Sequence, residues 1–242
     1  HDTVSTINAI ASFKNLNSTV KSGHEEILLP GMDEGVYIPT FKKVFYQIPE
    51  NPKGIIFCFH DAGESGEEFE TDFEKRSFFK AGAHQNYIMI ATDANENTDS
   101  NQSNKWQIKN SLTDNENNNI DIHLIKVLRD TIINRYHLPN SFPTFSMGVS
   151  NGANFGDLCA AALNFNASCH MIGNGLADIY KNRPDATPVI FIESINAKDE
   201  SNNPNSALSN HKVLLSRNIN SEFYWHIKTP IYSERFLRTT SS

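Results

Sequence analysis

Thr144-Phe145-Ser146-Met147-Gly148-Val149-Ser150-Asn151-Gly152-Ala153-Asn154 links an apolar strand candidate, Phe142 to Val149, to a helix candidate rich in Gly and Ala, Asn151 to Phe165. A serine at such a junction stands on a tight turn. Glycines two residues to either side, Gly148 and Gly152, remove the side chains that would clash with neighbouring backbone. The five-residue pattern is common by chance, and its strand-turn-helix setting is what gives it weight. The plainer alternative is a βα turn whose serine caps the helix.

Upstream, Ile55-Ile56-Phe57-Cys58-Phe59 is a continuous apolar run that fits a strand buried on both faces, and it ends in His60-Asp61-Ala62-Gly63. Where a serine sits on a nucleophile elbow, the turn after this neighbouring strand donates one backbone N–H to the oxyanion. The residue after the serine donates the other. Ala62 and Asn151 are therefore the expected oxyanion donors. His60 is expected beside the substrate, as a histidine that bonds the loop rather than one that transfers protons. Asp61 is out of keeping with that role, because a carboxylate aimed at the oxyanion opposes the developing charge. It must point away or be paired if the site is active.

Strand and helix candidates alternate along the rest of the chain. Val44 to Ile48, Tyr87 to Ala91, Ser168 to Ile172, Val189 to Ile195 and Phe223 to Ile227 read as strands, and Glu67 to Ala83, Ile120 to Tyr136 and Leu208 to Leu215 as helices. This order implies a parallel α/β sheet in a single domain, residues 36–242. Residues 1–35, rich in Ser, Thr and Asn with weak periodicity, read as an N-terminal arm. No internal repeat or linker is visible, and a separate lid domain has no room.

Composition narrows the function. With 38% hydrophobic residues among 242, the chain can build one full-sized core. No apolar run approaches the roughly 20 residues that cross a bilayer. The formal charge is -7, from 21 basic and 28 acidic residues, with no basic cluster to follow a phosphate backbone, so nucleic acid is not an expected partner. The three cysteines, Cys58, Cys159 and Cys169, lie in apolar stretches without metal-type spacing and read as buried free thiols. The chain begins with His1 rather than Met, so the lack of a visible signal peptide says nothing of compartment; a secreted or periplasmic location is slightly favoured as an expectation.

Together these motifs resemble the α/β-hydrolase superfamily, and within it the polyhydroxybutyrate depolymerase and feruloyl esterase branch. Asp121-Ile122-His123-Leu124-Ile125 matches that branch's helix start, and Ser146 to Asn154 matches its elbow. Trp106 falls where the branch carries a tryptophan-bearing loop beside the substrate. The resemblance spans roughly residues 40–200. It implies a three-layer sandwich around a mostly parallel sheet. It departs from the branch at Asp61, where glycine is usual.

In this fold the acid follows the penultimate strand and the histidine follows the last. An ungapped match to the branch's acid loop after Pro188 to Ile192 puts Ala197 at the acid position. Asp199 becomes the expected acid if the turn is longer, with Glu200 as fallback and Glu193 inside the strand. His226 is the only histidine near the last strand and is the expected base. It lacks the usual flanking glycine, so a structural role for it and a base beyond residue 242 both stay open. His211 reads as a surface residue.

The expected activity is that of a serine carboxylesterase. Ser150 is the nucleophile, His226 the base and Asp199 the orienting acid, acting on a small-molecule or polymeric ester with no metal or organic cofactor. The rival is an α/β-hydrolase-like binding protein that has kept the elbow and lost a competent acid and base.

Overall fold

The computed structural model describes residues 20–33, 35–95, 104–194 and 203–226. Eight strands form one sheet: β1 Val20–Asp33, β2 Val36–Pro49, β3 Gly54–Phe59, β4 Tyr87–Thr92, β5 Thr144–Val149, β6 Ala167–Met171, β7 Val189–Ser194 and β8 Ser221–His226. The helices are α1 Glu68–Thr71, α2 Phe73–His84, α3 Ile120–Arg135, α4 Asn151–Leu163, α5 Ala177–Asn182 and α6 Pro204–Ser216. Strand order across the sheet is β1-β2-β4-β3-β5-β6-β7-β8. The pairs β1–β2 and β2–β4 are antiparallel, and every pairing from β4 through β3 to β8 is parallel.

The central strands are apolar on both faces because helices cover both. Ile55, Phe57 and Phe59 of β3 pack in a cluster with Leu124 and Leu128 of α3 and Phe155 and Leu158 of α4. Cys58, on the opposite face, joins Phe69, Phe79 and Met89. Each fully buried side chain of this size contributes roughly 1.5–3 kcal/mol over its exposed state. Side chains cap several helices: Asp72 accepts from the N–H groups of Glu74 and Lys75, and Asn119 from those of Asp121 and Ile122. The result is a three-layer α/β sandwich with β5, and hence Ser150, in the middle of the sheet. Among the described residues no helix is long and apolar enough to cross a membrane.

Three departures from the sequence reading have local causes. Residues 20–33, placed in an N-terminal arm, are β1, which pairs along its whole length with β2. Its more buried positions include Gly23, Glu25 and Gly31, and its exposed face carries Leu28, so its alternation of apolar and polar residues is faint. Position 31 cannot carry a side chain, because a Cβ there would lie 2.3 Å from the Ile38 carbonyl oxygen. The helix expected over residues 67–83 is two helices, because Asp72 adopts extended backbone and caps the second. The six-residue α5 went unforeseen, being too short to develop a periodic face.

Candidate active site

Ser150 joins β5 to α4 with φ 51° and ψ -112°, a conformation that costs a non-glycine residue on the order of 1–3 kcal/mol. Its surroundings hold it there. Its N–H donates to the Met171 carbonyl at 3.1 Å, and its own carbonyl accepts from Ala153 and Asn154 at 3.1 and 3.2 Å. The two flanking glycines are required by proximity: a Cβ on Gly148 would stand 2.3 Å from the Gly152 backbone, and one on Gly152 would stand 2.4 Å from the carbonyl oxygens of Phe59 and His60. The elbow is thus pressed against the end of β3, which brings the loop after β3 beside the serine.

That loop is fixed by groups that leave it little freedom. His60 is fully buried. Its Nε2 accepts from the Ala94 N–H at 3.1 Å, which leaves Nδ1–H to donate to the Asp61 carbonyl at 2.7 Å. Burial pushes the imidazole below its ordinary pKa, consistent with this neutral tautomer. Asp93 Oδ1 accepts from the Gly66 N–H at 2.7 Å and holds the far end of the loop. Between these anchors, the Ala62 and Asn151 N–H groups converge on one atom. Asp61 Oδ1 accepts from Ala62 at 2.7 Å and from Asn151 at 3.3 Å.

Trp106 is 1% exposed, so its indole packs beneath the loop instead of forming the wall of an open cleft. It stacks on Phe155 at 4.7 Å, and its Nε1–H donates to the His60 carbonyl at 3.1 Å. Its backbone N–H donates to Asn151 Oδ1 at 3.0 Å, which ties this loop to the elbow. The sequence reading missed the residue that organises the loop. Asp121, fully buried at the start of α3, accepts from the N–H groups of Asn95 at 2.7 Å and Gln107 at 2.9 Å. A buried carboxylate opening a helix after a long polar stretch was the available signal.

The acid and base are placed less completely. Asp199 and its fallback Glu200 lie outside the described residues. The backbone of β8 reaches His226 in register with Ser194 of β7, and the His226 side chain lies outside the description. Glu193 is in β7 as expected and is fully buried, with Oε1 accepting from the Gly173 N–H at 3.1 Å. Its Oε2 has no hydrogen-bond partner among the described residues, and burial pushes its pKa up. On α4, the buried Asp157 accepts from Ser168 Oγ at 3.0 Å, from the Leu176 N–H at 3.1 Å and from the Tyr180 hydroxyl, and stands 2.7 Å from His170 Nε2. His211, read as a surface residue, is half-buried, and its Nδ1 lies 2.9 Å from Ser221 Oγ. Beside the elbow, Phe73, Phe78, Met171, Ile172 and Ile192, together with the polar Glu74, Ser77, Glu193 and Ser194, line a groove of ≈ 380 Å³.

No family model and no curated protein sequence matches the chain. Solved structures do match its architecture. A ferulic acid esterase aligns with TM-score 0.61 at 8% identity, over 92% of this chain and 95% of that one. An S-formylglutathione hydrolase from Agrobacterium tumefaciens aligns with TM-score 0.62 at 7% identity, over 93% and 92%. Brefeldin A esterase, described as a bacterial homologue of human hormone sensitive lipase, aligns with TM-score 0.56 at 8% identity, over 97% and 78%. The chain has the α/β-hydrolase fold.

Proposed function

We propose that the protein is a serine hydrolase that cleaves carboxylic esters through an acyl-enzyme. The observation that carries this reading is Ser150, held at positive φ on a strand-to-helix elbow beside two backbone N–H groups aimed at one point. Ser150 Oγ attacks the ester carbonyl carbon while His226 takes its proton, and the N–H groups of Ala62 and Asn151 receive the oxyanion. The carbon–oxygen bond to the alcohol breaks, and the alcohol leaves with the proton from His226. Water, deprotonated by the same base, then hydrolyses the acyl-serine, releasing the acid and restoring Ser150. Asp199 orients the imidazole. The ≈ 380 Å³ groove suits an apolar acyl or aryl group.

Ser150→Ala is expected to abolish hydrolysis of a short p-nitrophenyl ester and labelling by a fluorophosphonate probe, with an unchanged melting temperature. Full activity in the purified variant would remove the hydrolase reading. The Asp61 carboxylate at the convergence point favours a second reading, an α/β-hydrolase-like binding protein. Absence of both probe labelling and turnover in the parent chain, and in every Asp61 variant described below, selects it.

A further inference from the structure

The oxyanion hole just described already holds an oxygen. Asp61 Oδ1 accepts from both N–H groups on which the proposed reaction depends, at 2.7 and 3.3 Å. The surrounding charges give this carboxylate no cation of its own. Asp61's own N–H donates to Glu64 Oε2 at 3.0 Å. Lys75, the cation nearest in the network, is shared between Glu64, at 2.5 Å, and Glu68. Lys43 pairs with Glu67 at 3.3 Å, and Lys42 is buried and donates to the Asp93 carbonyl at 2.7 Å. Among the described residues no Lys, Arg or His side chain pairs with Asp61. The loop is therefore an acidic rim around a carboxylate whose partners are the two N–H groups needed in the transition state.

We infer that Asp61 is a specificity-determining residue: its carboxylate fills the oxyanion hole until the substrate displaces it, and esters carrying a cationic group are hydrolysed in preference to uncharged or anionic ones. The inference rests on the hydrolase reading above. An uncharged ester must displace the carboxylate from two N–H donors and offers it no partner in return. An ester with a quaternary ammonium near the carbonyl gives the displaced carboxylate an ion pair as its own oxygen enters the hole. An anionic ester meets like charge at the same place. Asparagine at 61 would keep an accepting oxygen and lose the charge, whereas alanine would empty the hole.

The test compares acetylthiocholine with its uncharged isostere 3,3-dimethylbutyl thioacetate on the parent, Asp61→Asn and Asp61→Ala, with melting curves to establish that each variant is folded. The parent is expected to favour the cationic ester by about threefold to fivefold in kcat/KM, the scale of one partly exposed charge pair. Asp61→Asn should erase that preference. Asp61→Ala should raise kcat on the uncharged ester by about tenfold or more, since a single oxyanion donor is worth roughly 10²–10³. Equal use of the two esters by the parent, a cation preference that survives Asp61→Asn, or a fall in kcat in Asp61→Ala overturns the inference. Any of these leaves the hydrolase reading standing, provided turnover depends on Ser150. If no form turns over or labels at all, the hydrolase reading is lost, and with it the inferred preference. Occupancy of the hole is then read from amide NMR signals in the Ser150→Ala background. Shifts of Ala62 and Asn151 on adding Asp61→Ala, and their saturation by acetate, uphold the occupied hole. Signals that do not move overturn it.

Discussion

Glu193 is a carboxyl taken out of water with one oxygen bonded to the Gly173 N–H and the other unmatched among the described residues. Gly173 lies against the elbow, where a Cβ would be 2.5 Å from Ala153 Cβ and 3.4 Å from the Ser150 carbonyl oxygen, so Glu193 is bonded to a residue that touches the elbow. Burial raises the pKa of Glu193, which means the folded chain holds this proton more tightly than the unfolded chain. Its contribution to stability is complete below the unfolded value, about 4.3, and is lost as pH rises through the folded value. Glu193→Gln has no such ionisation. Melting curves from pH 4 to 8 should therefore show the variant gaining on the parent as pH rises and ending above it at neutrality. A constant offset between the two would place the carboxylate's cost elsewhere. Asp199 calls for a different measurement, because an acid that orients a base acts on turnover. Asp199→Asn is expected to lower kcat by about 10²- to 10⁴-fold with unchanged melting. If Glu200→Gln does this instead, the acid moves by one residue.

The loop between β4 and α3 depends on a side chain of the helix that follows it. Asp121 supplies both oxygens to backbone N–H groups of that loop, Asn95 near its start and Gln107 near its middle, while Trp106 connects the same segment to Asn151. Asp121→Ala leaves two inward N–H groups without acceptors, each costing about 1–3 kcal/mol. Urea denaturation should register a loss of at least about 2 kcal/mol, with Asp121→Asn falling between the variant and the parent. An equal loss in both would mean that the charge, not the count of accepting oxygens, matters. What the sequence revealed followed the same division between local and distant contacts. The elbow was legible because the residues it requires fall within five positions, although Gly152 records a close approach to the carbonyls of Phe59 and His60, far off in the sequence. β3 and α3 were legible from unbroken apolar periodicity. β1 was hidden by its faint alternation. The depth of Trp106 was hidden too, since stacking on Phe155 and bonding to the His60 carbonyl join residues 46 or more positions apart. The proposed acid, Asp199, follows β7 in the chain and the proposed base, His226, is the last residue of β8, and no periodic pattern fixes such positions.

Across the whole molecule the sheet divides the interior into two apolar layers, and the three free cysteines sample both. Cys159 lies in the layer under α3 and α4, Cys58 lies in the layer under α2, and Cys169 packs at the margin of the second, half-buried. Burial pushes all three thiols up, Cys169 to about 11 and the other two further. The thiolate is the reactive form, so a disulfide reagent at pH 8 should modify native protein slowly. Cys169 should react first, and Cys58 and Cys159 only at the rate of wider opening, as mass spectrometry of quenched time points would resolve. Simultaneous modification of all three would mean that the two layers open as one cooperative unit. Either way, the chain carries its own reporters: an unlabelled, unmutated sample exposed to one reagent gives a separate opening record for each side of the sheet on which Ser150 is mounted.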